Sequence, residues 1–154
     1  MQSPVNDDFR EFLKLLIENE IQYLIVGGYA VSLHSRPRYT DDLDVWINNT
    51  PESFRKIKKV LKLFGFSAIS INEKEFFSTK KVYRIGKPPI RIEILNQIDG
   101  VDFKEAFKNK TIGKYFDLKN VYYISFEDLL KNKKNAGRTK DKMDLDYLKT
   151  YKKK

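Results

Sequence analysis

Two aspartates separated by one residue, Asp42 and Asp44, form the pattern in this sequence that most clearly indicates chemistry. Side chains in a β-strand alternate between its two faces, so both carboxylates lie on one face while the apolar Leu43, Val45 and Ile47 lie on the other. By strand rise the two carboxylates stand roughly 6–7 Å apart, where like charges repel, and aspartate is uncommon in strands. A divalent cation such as Mg²⁺, which binds few carboxylates together with phosphate oxygens, accounts for the pair.

A pair of glycines precedes the aspartates. Gly27 and Gly28 follow an apolar segment, residues 21–26, that is typical of a short buried strand. A strand that turns into a helix at glycines presents free backbone N–H groups at the positive end of the helix, and glycine lets a phosphate approach the backbone closely. An anion cradle beside a metal-binding carboxylate pair is what nucleotidyl transfer requires, because phosphate charge must be neutralised while a nucleophile approaches the α-phosphorus.

Each of these features also has a purely structural interpretation. Asp42 and Asp44 could lie at an exposed strand end and pair with Arg36, Arg38 or lysines. The two glycines could form an ordinary strand-to-helix turn. The combination of the two features favours the catalytic interpretation over the structural one.

The elements that must position these residues alternate along the chain. Strands are predicted over residues 21–26, 43–47, 81–85, 90–95 and 121–124, and helices over 7–19, 29–34, 51–64, 103–108, 126–135 and 139–151. Thr50 followed by Pro51 is typical of a helix start, and Ser125 with Asp128 resembles a capping box. This alternation predicts an α/β (α+β) fold with a mixed sheet flanked by helices. No linker or repeat is visible, so we expect one domain over residues 1–150 and a basic tail over 151–154.

Composition bounds the partners and the compartment. The net charge of +9, from 30 Lys and Arg against 21 Asp and Glu, favours a polyanionic partner such as nucleic acid or a polyphosphate, although lysine can also simply solvate a surface. The absence of cysteine excludes disulfides, zinc–thiolate sites and thiol nucleophiles. No apolar run approaches the ~20 residues that span a bilayer, and no signal-peptide pattern is visible. We therefore expect a cytoplasmic protein without a membrane partner.

With these motifs in order, the sequence resembles the polymerase-β-like nucleotidyltransferase superfamily. The signature is Gly27-Gly28 followed by Arg38-x-Thr40-x-Asp42-Leu43-Asp44. It is most similar to the small standalone prokaryotic branch that includes the nucleotidyltransferase toxins of abortive-infection systems. The likeness continues through Arg91-Ile92-Glu93-Ile94-Leu95 and the basic element between Lys133 and Asp141, and it spans roughly residues 20–150.

The resemblance implies an enzyme that moves a nucleoside monophosphate from a nucleoside triphosphate, ATP among them, with Mg²⁺ or Mn²⁺ as cofactor. It implies Asp42, Asp44 and Glu93 as catalytic metal ligands. Glu93 replaces the more frequent aspartate of the family, and Asp99 and Asp102 remain rivals for that role. The structural alternative for Glu93 is an ion pair on the strand face with Arg91 or Arg84. Gly28 replaces the usual serine. The nucleotide-binding residues that the resemblance implies are Gly27, Gly28, Arg38, Thr40, Lys133, Arg138 and Lys140.

The acceptor stays open at this point. It could be a hydroxyl or amine of RNA, including tRNA, of a protein or of a small molecule, and the toxin branch implies a possible antitoxin partner. A different class of function is a non-catalytic module that binds a nucleotide or RNA on the same fold. A metal-dependent phosphodiesterase is disfavoured, because the single histidine cannot form a histidine metal cluster.

Overall fold

The computed structural model of the protein describes residues 6–36, 40–66, 71–78, 80–87 and 90–152. Helices and strands alternate along these ranges. The helices are α1 (Asp7–Glu18), α2 (Gly27–His34), α3 (Pro51–Leu63), α4 (Glu73–Ser78), α5 (Phe103–Lys108), α6 (Phe126–Ala136) and α7 (Thr139–Lys152). The strands are β1 (Tyr23–Val26), β2 (Asp42–Ile47), β3 (Val82–Lys87), β4 (Ile90–Leu95), β5 (Thr111–Tyr115) and β6 (Leu118–Tyr123).

The strands form one mixed six-stranded sheet with the order β3-β4-β2-β1-β6-β5. The strand that carries the aspartates, β2, lies inside the sheet, antiparallel to β1 and parallel to β4. Its apolar face, formed by Leu43, Val45 and Ile47, is fully buried. Helix α1 packs against α3, while α2, α6 and α7 pack against one another. The predicted mixed sheet with flanking helices is confirmed.

Local sequence signals set most of the helix boundaries. The side chains of Asn6, Thr50 and Ser125 accept hydrogen bonds from backbone N–H groups three residues ahead, at 3.1–3.2 Å, which satisfies donors that a helix start leaves free. Gly137 ends α6 in the left-handed conformation at φ 67°. These caps explain why the predicted helices were placed within a few residues of their observed bounds.

Two elements were not predicted. Helix α4 has six residues and is too short for a helical period to be recognised. Strand β5 contains Gly113, which is unusual inside a strand, and it is held by antiparallel pairing with β6 across a tight turn in which Phe116 has φ 54°. Tertiary pairing, which no local pattern reveals, accounts for β5.

The C-terminal helix was predicted over residues 139–151 and agrees with this range to within one residue. Helix α7 continues to Lys152, so Tyr151 belongs to it, whereas Lys153 and Lys154 lie outside the described residues. In the part of the chain that the structure describes, no helix is both long and apolar enough to cross a membrane.

Candidate active site

Three carboxylates lie on one face of two neighbouring strands. Asp42 and Asp44 belong to β2, and the parallel register of β2 and β4 sets Asp44 directly beside Glu93 and Asp42 directly beside Arg91. All four side chains are partly buried. The sequence predicted that Asp42 and Asp44 share a face, and the sheet adds Glu93 to the same face from the next strand. This carboxylate cluster, Asp42, Asp44 and Glu93, is the candidate catalytic centre.

The environment of Asp44 disfavours its ionised form. Burial, then the negative charges of Glu93 and Asp42, raises the pKa of Asp44 from 3.8 to about 7, and a contact with the Glu93 carboxyl adds to the effect. The Oδ1 atom of Asp44 is buried and has no hydrogen-bond partner among the described residues. A buried carboxylate oxygen without a donor, beside two further carboxylates, needs positive charge to become stable in its ionised form.

The first turn of α2 lies against this carboxylate. Gly27 begins α2 directly after β1 with φ 68°, and a Cβ atom at this position would stand 2.1 Å from Asp44 Oδ2. Only glycine therefore permits the close approach of the α2 N-terminus to Asp44, whereas Gly28 is buried one residue further along. The sequence predicts that the two glycines let a phosphate approach the backbone. The structure adds a second reason for glycine at position 27, which is the contact with Asp44.

A comparison of Gly27 with Gly137 separates the cost of the left-handed backbone conformation from the cost of the close contact with Asp44. Gly27 and Gly137 have φ 68° and 67°, but a Cβ at Gly137 would have no atom within 4 Å. We expect Gly137→Ala to lower the free energy of unfolding by about 1–2 kcal/mol, the cost of the left-handed conformation. Gly27→Ala should cost about 1–3 kcal/mol more, because its methyl group also overpacks against Asp44. Denaturant unfolding of both variants measures the difference, and equal losses would contradict the close approach.

Two residues of the basic C-terminal element, Arg138 and Lys140, interact electrostatically with Asp44. The positive charge of Lys140 acts to lower the pKa of Asp44, opposing the burial and the neighbouring carboxylates. The pKa of Arg138 is raised chiefly by its hydrogen bond to Asp141, and the negative charge of Asp44 contributes. Both cations therefore lie within electrostatic reach of Asp44, and both side chains are exposed.

Lys133 has a different environment from Arg138 and Lys140. Its Nζ atom lies 3.2 Å from Asp141 Oδ1 and 3.1 Å from Asp144 Oδ2, with 5% of the lysine side chain and 1% of each aspartate side chain exposed. Asp141 also accepts bonds from the backbone N and Nε of Arg138, at 3.2 and 2.8 Å. Lys133 therefore joins α6 to α7, and Asp141 holds the Arg138 guanidinium. The assignment of Lys133 as a direct phosphate ligand stays a prediction.

The remaining predicted residues have the following surroundings. Arg38 lies outside the described residues. Thr40 precedes β2, and its carbonyl oxygen accepts a bond of 3.4 Å from the Tyr29 hydroxyl. Of the two rivals of Glu93, Asp102 caps α5 by accepting a bond from the Glu105 backbone N at 3.2 Å, and Asp99 pairs with Lys80. Glu93 is the carboxylate whose neighbour in the sheet is Asp44.

The ion pairs of Glu93 with Arg91 and Arg84, which the sequence offered as the structural alternative for Glu93, are both present, whereas the contact of Arg91 with Asp42 was not predicted. Arg91 Nε lies 3.2 Å from Glu93 Oε1 and 3.6 Å from Asp42 Oδ1, and Arg84 Nε lies 3.2 Å from the same Glu93 oxygen. The strand alternation of Arg91 and Glu93 places both on one face, which is the available signal. The pairing of β4 with β2, which brings Arg91 to Asp42, has no local signal.

The donor set of the cluster fits a hard divalent cation. Three carboxylates supply only oxygen ligands, which suit Mg²⁺ or Mn²⁺, and Asp44 Oδ1 is a buried acceptor without a donor in the described chain. As the side chains stand, no three Asp, Glu, His or Cys side chains of the described ranges are grouped closely enough to hold a metal ion. Asp42 and Glu93 are instead in contact with Arg91.

Comparison with known proteins identifies a family for the chain and a similar fold in two solved structures. Residues 5–154 match the family described as nucleotidyl transferase of unknown function (DUF2204). The fold is similar to that of TM1012 from Thermotoga maritima, provisionally described as a nucleotidyltransferase, with 16% identity, a TM-score of 0.61 and coverage of 95% of this chain and 91% of that chain. It is also similar to the lincosamide antibiotic adenylyltransferase LnuA in its lincomycin-bound structure, with 15% identity, a TM-score of 0.58 and coverage of 97% and 99%. No curated protein sequence matches the chain.

Proposed function

The chain belongs to the family of nucleotidyl transferases of unknown function, and we propose that it transfers a nucleoside monophosphate from a nucleoside triphosphate to an acceptor hydroxyl at Asp42, Asp44 and Glu93. The observation that carries the proposal is the register of β2 and β4, which brings the three carboxylates onto one face beside the N-terminus of α2. The acceptor oxygen forms a bond to the α-phosphorus, the bond to the bridging oxygen breaks, and pyrophosphate leaves.

Each residue of the site has a role in this reaction. Asp42, Asp44 and Glu93 would hold Mg²⁺ or Mn²⁺, which would neutralise the triphosphate charge and lower the pKa of the attacking hydroxyl. Glu93 accepts the proton of the acceptor hydroxyl. The backbone N–H groups at Gly27 and Gly28 donate to phosphate oxygens, since a helix N-terminus favours an anion.

The other predicted ligands complete the triphosphate site. Arg138 and Lys140 bind phosphate oxygens, which their exposure and their electrostatic reach to Asp44 support. Lys133 contributes indirectly, because it anchors Asp141, which in turn holds Arg138. Thr40 and Arg38 precede β2 in sequence and are assigned to the nucleotide on the resemblance alone.

The acceptor is assigned by charge. With a net charge of +9 the chain favours an anionic acceptor, and RNA provides both the anion and the terminal hydroxyl. ATP is the donor tested first, since LnuA, which shares the fold, is an adenylyltransferase. The toxin role, the antitoxin partner and the cytoplasmic location stay predictions, and the neighbouring gene is the observation that would test the first two.

Substitution of Glu93 distinguishes an enzyme from a binding module. Glu93→Gln keeps the size of the side chain but removes the charge that accepts the acceptor proton. We expect turnover to fall ~100-fold or more, the usual contribution of a general base, with a smaller change in nucleotide affinity. A labelled-nucleotide assay gives turnover, and calorimetry on the same preparation gives affinity.

The matched control is Glu105→Gln, which makes the same change at an exposed glutamate on α5. Its turnover and affinity should equal those of the unchanged protein. If Glu93→Gln retained normal turnover, Glu93 would not be the base. If the unchanged protein bound a triphosphate with magnesium and transferred nothing, the binding module would be the correct interpretation.

A further inference from the structure

Arg91 lies inside the carboxylate cluster and not beside it. The sheet register makes Arg91 the direct neighbour of Asp42, and its Nε atom is 3.2 Å from Glu93 Oε1 and 3.6 Å from Asp42 Oδ1. Its side chain is 30% exposed, so much of it is removed from water. One guanidinium therefore bridges two of the three carboxylates that the proposed reaction requires.

The interaction that holds Arg91 is one of charge more than of directed hydrogen bonding. Arg91 Nε is buried and makes no hydrogen bond of acceptable geometry in the described structure, although a Glu93 oxygen lies 3.2 Å away. An attraction between charges depends little on orientation. Another cation can therefore take the place of Arg91 at these carboxylates, provided that the guanidinium pairs with another anion. Three clustered carboxylates would otherwise repel one another.

This arrangement has a consequence for cation binding. A divalent cation that takes Asp42, Asp44 and Glu93 as ligands competes with Arg91 for Asp42 and Glu93, because its two positive charges repel a guanidinium held at the same carboxylates. The displaced guanidinium then needs an anion, and a triphosphate at the same site provides phosphate oxygens that suit its planar donors. Cation and triphosphate are thereby linked through one side chain.

We propose that Arg91 couples divalent-cation binding to triphosphate binding. It neutralises Asp42 and Glu93 in the absence of ligand and pairs with a phosphate group when the cation and the triphosphate bind together. The proposal rests on the proposed function, because it assumes the same carboxylates and the same donor. By linkage, the triphosphate strengthens cation binding by the same factor by which the cation strengthens triphosphate binding.

The experiment measures Mn²⁺ binding by electron paramagnetic resonance, with and without a non-hydrolysable triphosphate whose α–β bridge is a methylene group. In the unchanged protein, the analogue should increase Mn²⁺ affinity at least about tenfold, within the range usual for coupled sites. Arg91→Met should raise the affinity for Mn²⁺ alone by about tenfold and should leave a much smaller effect of the analogue, because no cation has to be displaced.

Arg84→Met is the matched control. Arg84 Nε is also 3.2 Å from Glu93 Oε1, but its side chain is 56% exposed and lies on the far side of β4 from Asp42. We expect the affinity for Mn²⁺, measured with or without the analogue, to change less than about twofold, because an exposed ion pair is weak. Arg91→Lys, which keeps the charge, should retain the low affinity for Mn²⁺ alone.

Arg91→Gln also removes the charge but leaves a polar side chain. It is used in place of Arg91→Met if thermal unfolding shows that Arg91→Met is not folded. Unchanged or weakened binding of Mn²⁺ alone by the folded neutral variant would overturn the proposal.

Asp44→Asn distinguishes failure of the coupling from failure of the proposed metal site. If it abolishes Mn²⁺ binding while the Arg91 variant has no effect, the metal site stands and the coupling is wrong. If the unchanged protein binds no Mn²⁺ with the analogue present, the proposed metal-dependent function fails together with the coupling.

Discussion

Asp44→Asn is expected to reduce nucleotidyl transfer on the order of 10³-fold, because the neutral amide cannot hold a cation against the triphosphate. Metal-based charge stabilisation contributes several kcal/mol to a transition state, and each 1.36 kcal/mol corresponds to a factor of ten in rate. The measurement is the rate of transfer from a labelled triphosphate at saturating magnesium. Near-normal transfer by this variant would show that Asp44 is not a metal ligand.

The pH dependence of the free energy of unfolding shows whether Asp44→Asn is still correctly folded. Burial, with the charges of Glu93 and Asp42, raises the pKa of Asp44 from 3.8 to about 7, so the folded state binds a proton more tightly than the unfolded state between these values. The unchanged protein should therefore lose stability as the pH rises through this window, whereas the contribution disappears in Asp44→Asn. In EDTA the variant should match the unchanged protein near pH 4 and exceed it at pH 8 by on the order of 1–3 kcal/mol.

Lys133→Met is expected to produce the largest loss of stability, about 3–5 kcal/mol, because it removes the cation of a buried ion-pair cluster. Lys133 Nζ lies within 3.2 Å of both Asp141 and Asp144, whose side chains are only 1% exposed. A loss of this size is a large part of the ~5–15 kcal/mol that stabilises a domain. Urea unfolding at neutral pH measures it.

The neighbouring Lys134 provides the control for this substitution. Lys134 lies on the same helix and is exposed, so Lys134→Met should change the free energy of unfolding by less than ~0.5 kcal/mol. If Lys133→Met were equally mild but abolished triphosphate binding, Lys133 would be a direct phosphate ligand as the sequence resemblance implies. A mild effect on both properties would contradict either role.

Local patterns were sufficient to predict most of the fold. The alternation from Leu43 to Ile47 gave the buried face of β2, and the cap residues Thr50 and Ser125 gave the starts of α3 and α6. These signals act between residues a few positions apart, so they can be read from the sequence directly. Strand β5 depends instead on its pairing with β6, which explains why it was not predicted.

The site could be predicted only as far as its motifs. The sequence placed Asp42 and Asp44 on one face, but the parallel pairing of β2 with β4 brings Glu93 to Asp44 and Arg91 to Asp42 across about 50 positions of the chain. Lys133 was assigned to nucleotide binding on the resemblance, and no local pattern predicted that its side chain is buried. Its burial follows from the packing of α6 on α7, which turns Asp141 and Asp144 towards it.

One measurement tests the central claim most directly. The unchanged protein is incubated with each nucleoside triphosphate labelled at the α-phosphate, with magnesium and with total RNA, and both the labelled acceptor and the released pyrophosphate are quantified. We expect label to enter RNA with an equal amount of pyrophosphate, and we expect EDTA and Asp44→Asn to abolish both. Magnesium-dependent binding of a triphosphate without transfer to RNA, protein or small molecules would contradict the claim and identify a binding module.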